Sequence, residues 1–420
     1  MESALDLLLD PITGSKARGN NVEGHLTIHV DDAFFTGTQH FHKTVIEALR
    51  RDFQVGSEDK NDVMFVGQRV KWIDQTDSKK KHVRVDQEVK VEELSEIAFD
   101  TSQKDSITCT KDLHTQFRSV LGQINWLQSR TQFQSCYAFS RCASASAGPT
   151  VGDVRAINKL VRKIRAEIVV LRYWPLRGAC LRIVGYPDAA YRNNSDKSSQ
   201  RGQAIFLAEP RQAGQVNTRG SLVDYESQKI KKTVLSTTVS ELYAFMKCFG
   251  TCQFLRGLWM DMSSTAAELH MRTDANNLVT TASTTHLPEQ KETIHMINQL
   301  RHESCSGSID DLAHVVSEDC LADCLTKTSA KATAIVKAVD TGVLPNVDKH
   351  PPFRELLKNK HKAYSNCPDR DDDSSQSLIA WLVHNIPDAA NVVTFLAIPV
   401  RQRIEQYLCT SASDDWWLFP

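Results

Sequence analysis

Four carboxylates carry the clearest chemical content in this chain: Asp188, Glu241, Asp274 and Asp323. Asp188 ends the apolar run CLRIVGYPDAAY, and Asp274 ends a second one, ELHMRTDA. Glu241 opens a long segment with an apolar face, and Asp323 lies within CLADCLTK. If the runs bearing Asp188 and Asp274 are neighbouring strands, their carboxylates converge. Glu241 then enters from a helix start and Asp323 from a helix that closes the edge. Four carboxylates in one cleft repel one another unless a divalent cation neutralises them. Mg2+ takes oxygen ligands and keeps several waters, which leaves room for phosphate oxygens. Two such ions (Mg2+ or Mn2+) about 3.5–4 Å apart activate a water and stabilise the leaving oxygen in phosphodiester cleavage.

Each residue also has a plainer meaning. An aspartate after a strand serves as a turn residue or a helix cap. Thr238 and Glu241 have the spacing of a capping box, in which the glutamate reaches back to the N-cap amide. Asp323 alone is a solvated helix residue. Spacing does not choose between these alternatives. A second acidic pair, Asp31 and Asp32, falls between the apolar runs HLTIHV and AFFTGT, which reads as strand, turn, strand. On its own such a pair is a polar turn.

The elements that position these residues come from a chain of 420 residues, 41% hydrophobic and 24% charged, a balance that excludes a mostly disordered protein. The length suits two or three domains. No run reaches eighteen apolar residues, so no membrane span is expected. The N-terminus lacks the charged start, apolar core and small cleavage residues of a secretory signal. Eleven cysteines without a framework then read as reduced thiols in a cytoplasmic or nuclear protein. Fifty basic against fifty-one acidic residues give a charge of −1, so any phosphate contact must come from local patches. The candidates are Lys79, Lys80 and Lys81 in one expected hairpin, and Lys229, Lys231 and Lys232 beside the segment of Glu241.

Residues 1–24 read as a frayed start. In 25–175, an amphipathic helix places Phe41, Val45, Leu49 and Phe53 on one face, strands follow at 63–72 and 81–86, and helices occupy 111–170. Residues 178–330 read as a second unit. Its strands lie at 180–191, 203–209 and 222–236, and a helix runs over roughly 238–261. A strand at 268–275, a short strand at 309–316 and a helix at 320–327 complete it. This is an α+β and α/β architecture with a mixed sheet. Residues 331–420 form an unassigned extension with an acidic, serine-rich linker at 369–377. The cysteine pairs 248/252 and 320/324 have helical spacing and read as core packing.

The segments GYPDAAY, QAIFLAE, ESQKIKKTVLSTTVSELYA, RTDANN and LADCLTK, in that order, resemble the ribonuclease H domain of Ty1/copia-type retrotransposon polyproteins over roughly 180–330. The resemblance places the family's metal-binding carboxylates on Asp188, Glu241, Asp274 and Asp323. There are departures. Val239 stands where the family has an additional acid, and Glu292-Thr293-Ile294 replaces a K-H-I string. His314 is the nearest histidine to the fourth acid.

HVDD at 29–32 resembles the Y-V-D-D box of reverse transcriptases, with His29 in place of tyrosine. FVGQRV, FRSVLGQINWLQSRT and INKLVRKI continue the copia-type order over roughly 25–170. The resemblance implies a palm-and-thumb remnant followed by a ribonuclease H-like mixed-sheet domain. Polymerisation needs a further acid on an earlier palm strand, and fingers that hold template and nucleotide. The residues before 25 provide neither, so an upstream Pol segment would have to supply them. The expectation is a C-terminal piece of a Pol polyprotein that cleaves the RNA strand of an RNA–DNA hybrid with Mg2+ or Mn2+. Its rivals are a catalytically dead nucleic-acid-binding remnant and an interaction protein acting through 331–420.

Overall fold

The computed structural model describes residues 15–18, 21–29, 32–74, 81–178, 180–210, 218–282, 293–328 and 330–345. They form three sheets and a set of helices, in keeping with the expected mixed α+β class. Strands β1 (Ser15–Arg18), β2 (Asn21–His29) and β3 (Asp32–Gly37) make an antiparallel meander in which His29 pairs with Asp32 at the hairpin tip. The helical stretch that follows is α1 (Gln39–Phe41), a π-helical turn (His42–Ile46) and α2 (Glu47–Asp52). Phe41, Val45 and Ile46 are buried with Leu26. Leu49 packs against them half-buried, and the expected stripe stops there. Phe53 is already extended backbone beyond the helix end, and its ring is 55% exposed.

A second sheet has the order β4 (Asp62–Phe65), β5 (Gln68–Ile73), β6 (His82–Asp86) and β7 (Leu171–Tyr173). Between β6 and β7 lie α3 (Glu88–Glu93), α4 (Lys111–Gln128), α5 (Cys136–Ser144) and α6 (Val151–Ala166). The stripe Phe117, Leu121, Ile124 and Leu127 of α4 shares one core with Ile157, Leu160, Val161 and Ile164 of α6. Thr150 starts α6 with a complete capping box to Asp153. The buried Asn158 exchanges two hydrogen bonds with the Ile97 backbone, each 2.8 Å long.

The largest sheet comprises β8 (Leu181–Ala190), β9 (Gln200–Ala208), β10 (Thr218–Lys229), β11 (Ala267–Thr273), β12 (Asp311–His314) and β13 (Val343–Leu344). Its order is β12-β11-β8-β9-β10-β13. β8, β9 and β10 are antiparallel, and β11 and β12 run parallel to β8 and to each other. The long α7 (Thr237–Ser263) makes the crossover between β10 and β11. It covers one face with Leu242, Phe245, Phe249, Cys252 and Trp259 against Ile183, Ile205, Leu269 and Met271. The helices α8 (Asn276–Ala282) and α9 (Ile294–Cys305) continue that layer. Strand alternation sends Val184, Tyr186 and Asp188 to the opposite face. There Tyr186 and Phe206 join Phe65, Val70 and Val85 of the second sheet in one continuous core.

Further expectations need correction. Residues 15–18 and 21–24 are paired strand rather than a frayed start. The stretch 63–72 is not one strand: positive φ at Val66 and Gly67 turns the chain, so that β4 and β5 pair with each other. The stretch 320–327 is not an α-helix: it passes through a single 3-10 turn at Asp323–Leu325. β10 ends at Lys229 rather than 236, because the chain leaves the sheet to cap α7. The helix α10 (Thr333–Thr341) and β13 lie within the stretch read as an extension, yet β13 pairs with β10 and α10 packs into the sheet core.

Candidate metal centre

The centre is assembled where β8 and β11, parallel neighbours, both approach their C-terminal ends. Asp188 is the eighth residue of β8 and only 1% exposed. The Thr326 hydroxyl donates to its carboxylate, and Lys327 Nζ lies 3.8 Å away. Burial raises the Asp188 carboxyl to about 6. Lys327 and Thr326 oppose that rise, and the charges of Asp274 and Asp323 add to it. Asp274 follows the last residue of β11 and accepts a 3.1 Å hydrogen bond from Ser317 Oγ.

Glu241 arrives from α7 and is not part of a capping box. The N-cap is Ser236, whose hydroxyl accepts from the Val239 amide at 3.3 Å, so Glu241 lies in the second turn. The capping alternative therefore fails. The Ala189 amide donates to the Glu241 carboxylate, yet Oε2 is buried with no hydrogen-bond partner. Burial, followed by the charges of Asp188 and Asp274, pushes its carboxyl up to about 9.

Asp323 is placed differently from the other three. On its 3-10 turn it binds the Lys327 ammonium four residues ahead, and the same ammonium faces Asp188. Burial works against the Lys327 charge, but Asp188 and Asp323 outweigh it and hold the lysine firmly protonated. The residue that the turn sends to the centre is Cys320. Its Sγ and one oxygen each of Asp188 and Asp274 lie within 4.8 Å of one another. Sequence reasoning took Cys320 for packing. Its only signal was a position three residues before Asp323. His314 ends β12 opposite Thr273, beside Asp274.

The donor set fits a divalent cation. Two carboxylates converge, a third has an orphaned oxygen, and two of the three are pushed up by mutual repulsion and burial.

The other candidates are dispersed. Asp31 lies outside the described residues. Asp32 starts β3 with its side chain exposed, and among the described residues no trio of metal-ligating side chains forms around it. Lys79 and Lys80 also lie outside the described residues. Lys81 is paired with Asp74 at 2.7 Å, and Lys229 is paired with Asp196. Lys231 and Lys232 are exposed, with Lys232 Nζ 5.8 Å from the Tyr243 ring centre. No helix among the described residues is long and apolar enough to cross a membrane.

No protein-family model and no curated protein sequence matches the chain. Among solved structures, it is similar to an LC11 ribonuclease H1 from compost, crystallised with an RNA/DNA hybrid, at 17% identity and a TM-score of 0.26. That likeness covers 34% of this chain and 94% of the other. Ribonuclease H1 of the archaeon Halobacterium salinarum aligns at 15% identity and a TM-score of 0.25, over 37% of this chain and 99% of that one. A foamy viral protease–reverse transcriptase bound to double-stranded DNA aligns at 14% identity and a TM-score of 0.39. The match takes in 70% of this chain and 55% of the viral one.

Proposed function

We propose that this chain is a retroelement-derived, copia-type Pol fragment whose large sheet hydrolyses phosphodiesters in the RNA strand of an RNA–DNA hybrid. The observation that carries the proposal is the meeting of Asp188 and Asp274 at one end of a sheet ordered β12-β11-β8-β9-β10, with Glu241 near enough for their charges to push its carboxyl up. In this reading Asp188, Asp274 and Glu241 hold Mg2+ or Mn2+, with Asp323 beside them. A bound divalent cation supplies neutralisation of phosphate charge and a more acidic water. The chain's own residues do the positioning. Thr326 and Lys327 fix Asp188 on the buried side, and Ser317 orients Asp274. Glu241 holds a proton at neutral pH that a cation must displace.

Lys231 and Lys232 would meet the hybrid backbone, which gives salt-dependent binding with little sequence preference. In this reading Asp31 and Asp32 are the acidic pair of a reverse-transcriptase palm, which polymerises only where fingers and a further acid complete it. The test is cleavage of a labelled RNA–DNA hybrid by the purified chain with Mg2+ or Mn2+, beside Asp188→Asn and Asp274→Asn. Metal-dependent cleavage lost in both variants supports a working nuclease.

A second reading has its own observation. Lys327 already offsets part of the charge of Asp188 and Asp323 internally. A folded chain that binds hybrid but never cleaves it would be the catalytically dead remnant.

A further inference from the structure

We propose that Cys320 is a ligand of the metal centre, and that the site therefore selects a thiophilic divalent cation such as Zn2+ or Cd2+ over Mg2+. The proposal rests on the reading above that Asp188 and Asp274 hold a cation.

The turn after β12 splits its two donors. Cys320 goes to the Asp188–Asp274 pair, and Asp323 goes to Lys327. The Lys327 ammonium thus stands between Asp323 and Asp188, on the side where a further cation would be held. The turn's free donor to the ion is a sulfur. No charged side chain pairs with it: Sγ accepts from the Ala322 amide and makes a weak 3.8 Å contact with the Pro187 carbonyl. A second group also points to an ion, since the buried Oε2 of Glu241 has no partner.

Sulfur and oxygen donors sharing one tetrahedral Zn2+ lie roughly 3.6 Å apart, given Zn–S of about 2.3 Å and Zn–O of about 2.1 Å. The present 4.8 Å triangle needs only a small contraction. The donor chemistry then decides the ion. Mg2+ requires near-octahedral oxygen and sheds water reluctantly, whereas thiolate selects softer metals. On binding, the Cys320 S–H bond breaks, its proton passes to solvent, and the sulfur electron pair forms the S–metal bond. No oxidant or reductant takes part.

The test is titration of the full-length, reduced, metal-free chain with Cd2+, followed by the ultraviolet thiolate-to-cadmium absorption. The variants are Cys320→Ser, Asp274→Asn and the double replacement Cys248→Ala with Cys252→Ala. The last removes a buried neighbouring thiol pair one helical turn apart, the main competitor for the probe. The expected result is a band that saturates at one Cd2+ per chain, disappears in Cys320→Ser, weakens in Asp274→Asn and persists in the double variant. A band unchanged in Cys320→Ser, or lost only in the double variant, overturns the proposal. If Cys320→Ser fails to fold, Asp274→Asn decides: an unaltered band overturns the proposal, because the carboxylate then shares no ion with the sulfur. Hybrid cleavage is measured separately. Mg2+-dependent cleavage without a cadmium band removes the sulfur ligand and keeps the nuclease. A Cys320-dependent band without cleavage by any metal does the reverse.

Discussion

Gly202 lies directly opposite Asp188 in the register of β8 and β9. A β-carbon at Gly202 would come within 2.9 Å of Leu325 Cβ and Thr326 Cγ2, and within 3.3 Å of the Ala322 carbonyl. The absent side chain is what lets the 320–327 turn lie flat on the sheet. That contact delivers Cys320, Asp323, Thr326 and Lys327 to Asp188.

Gly202→Val should therefore lift the turn and release Thr326 from Asp188. Overpacking of this kind costs about 1–3 kcal/mol. A thermal melt should show the loss, and binding of Mn2+ should weaken with it. An unchanged melting temperature together with unchanged Mn2+ binding would refute the role of this contact.

The raised carboxyls set a pH dependence. Folded Glu241 retains its proton up to about 9 and Asp188 up to about 6, whereas unfolded carboxyls lose theirs near their ordinary values of 4.5 and 3.8. Between those limits the folded state binds more protons. The stability of the metal-free protein should thus be greatest at low pH in this window and fall as pH rises through it. Denaturant melts of Glu241→Gln should show a flatter profile between pH 5 and 9. Cation affinity should run the other way and increase with pH, since a proton must leave Glu241. Calorimetry in two buffers of different ionisation enthalpy reads that proton directly.

Lys327→Met removes the ammonium shared by Asp188 and Asp323. Their repulsion is then uncompensated, so the metal-free chain should melt earlier. Divalent cations should bind more tightly, because they no longer compete with an internal charge. Tighter Mn2+ binding is the diagnostic, measured by isothermal titration. Binding equal to that of the parent chain would mean that Lys327 and the ion do not compete.

Asn158→Ala would leave the Ile97 N–H and carbonyl without their side-chain partner inside the helical core. Unsatisfied buried groups cost about 1–3 kcal/mol each. Chemical denaturation should register a clear loss of stability, with the cation titration unaffected.

The legible part of this molecule was its local part. Phe117, Leu121 and Ile124, like Ile157 and Leu160, recur at helical spacing, and all five are buried. Asp188 and Asp274 end apolar runs that become parallel neighbours, so their convergence followed from strand order. Cys320 was not legible. Its approach depends on a turn crossing Gly202, a contact over more than a hundred residues with no periodic trace. Asp323 was readable as an acid near the site, and its i, i+4 spacing to Lys327 suits a helix as well as the observed turn, but nothing in that spacing reveals that the same ammonium faces Asp188. β13 has only two residues and thus no alternation to detect. Phe53 misled because four-residue spacing cannot reveal where a helix stops.

Trp174 precedes β8, and Gly342 follows α10. The indole N–H donates to the Val339 carbonyl at 3.1 Å, and a β-carbon on Gly342 would sit 2.5 Å from the ring. Arg172 and Asp340 pair beside them, and β13 zips onto β10 at Thr218 and Arg219. This clasp joins the segments entering and leaving the large sheet at the Arg182 end of β8. Asp188 is six residues further along the strand, or about 20 Å at the usual rise per residue. Mechanically, the sheet is a loop pinched at its neck. Tension applied through the flanking chain would be carried in shear by the clasp, and the carboxylates at the far end would feel none of the pull.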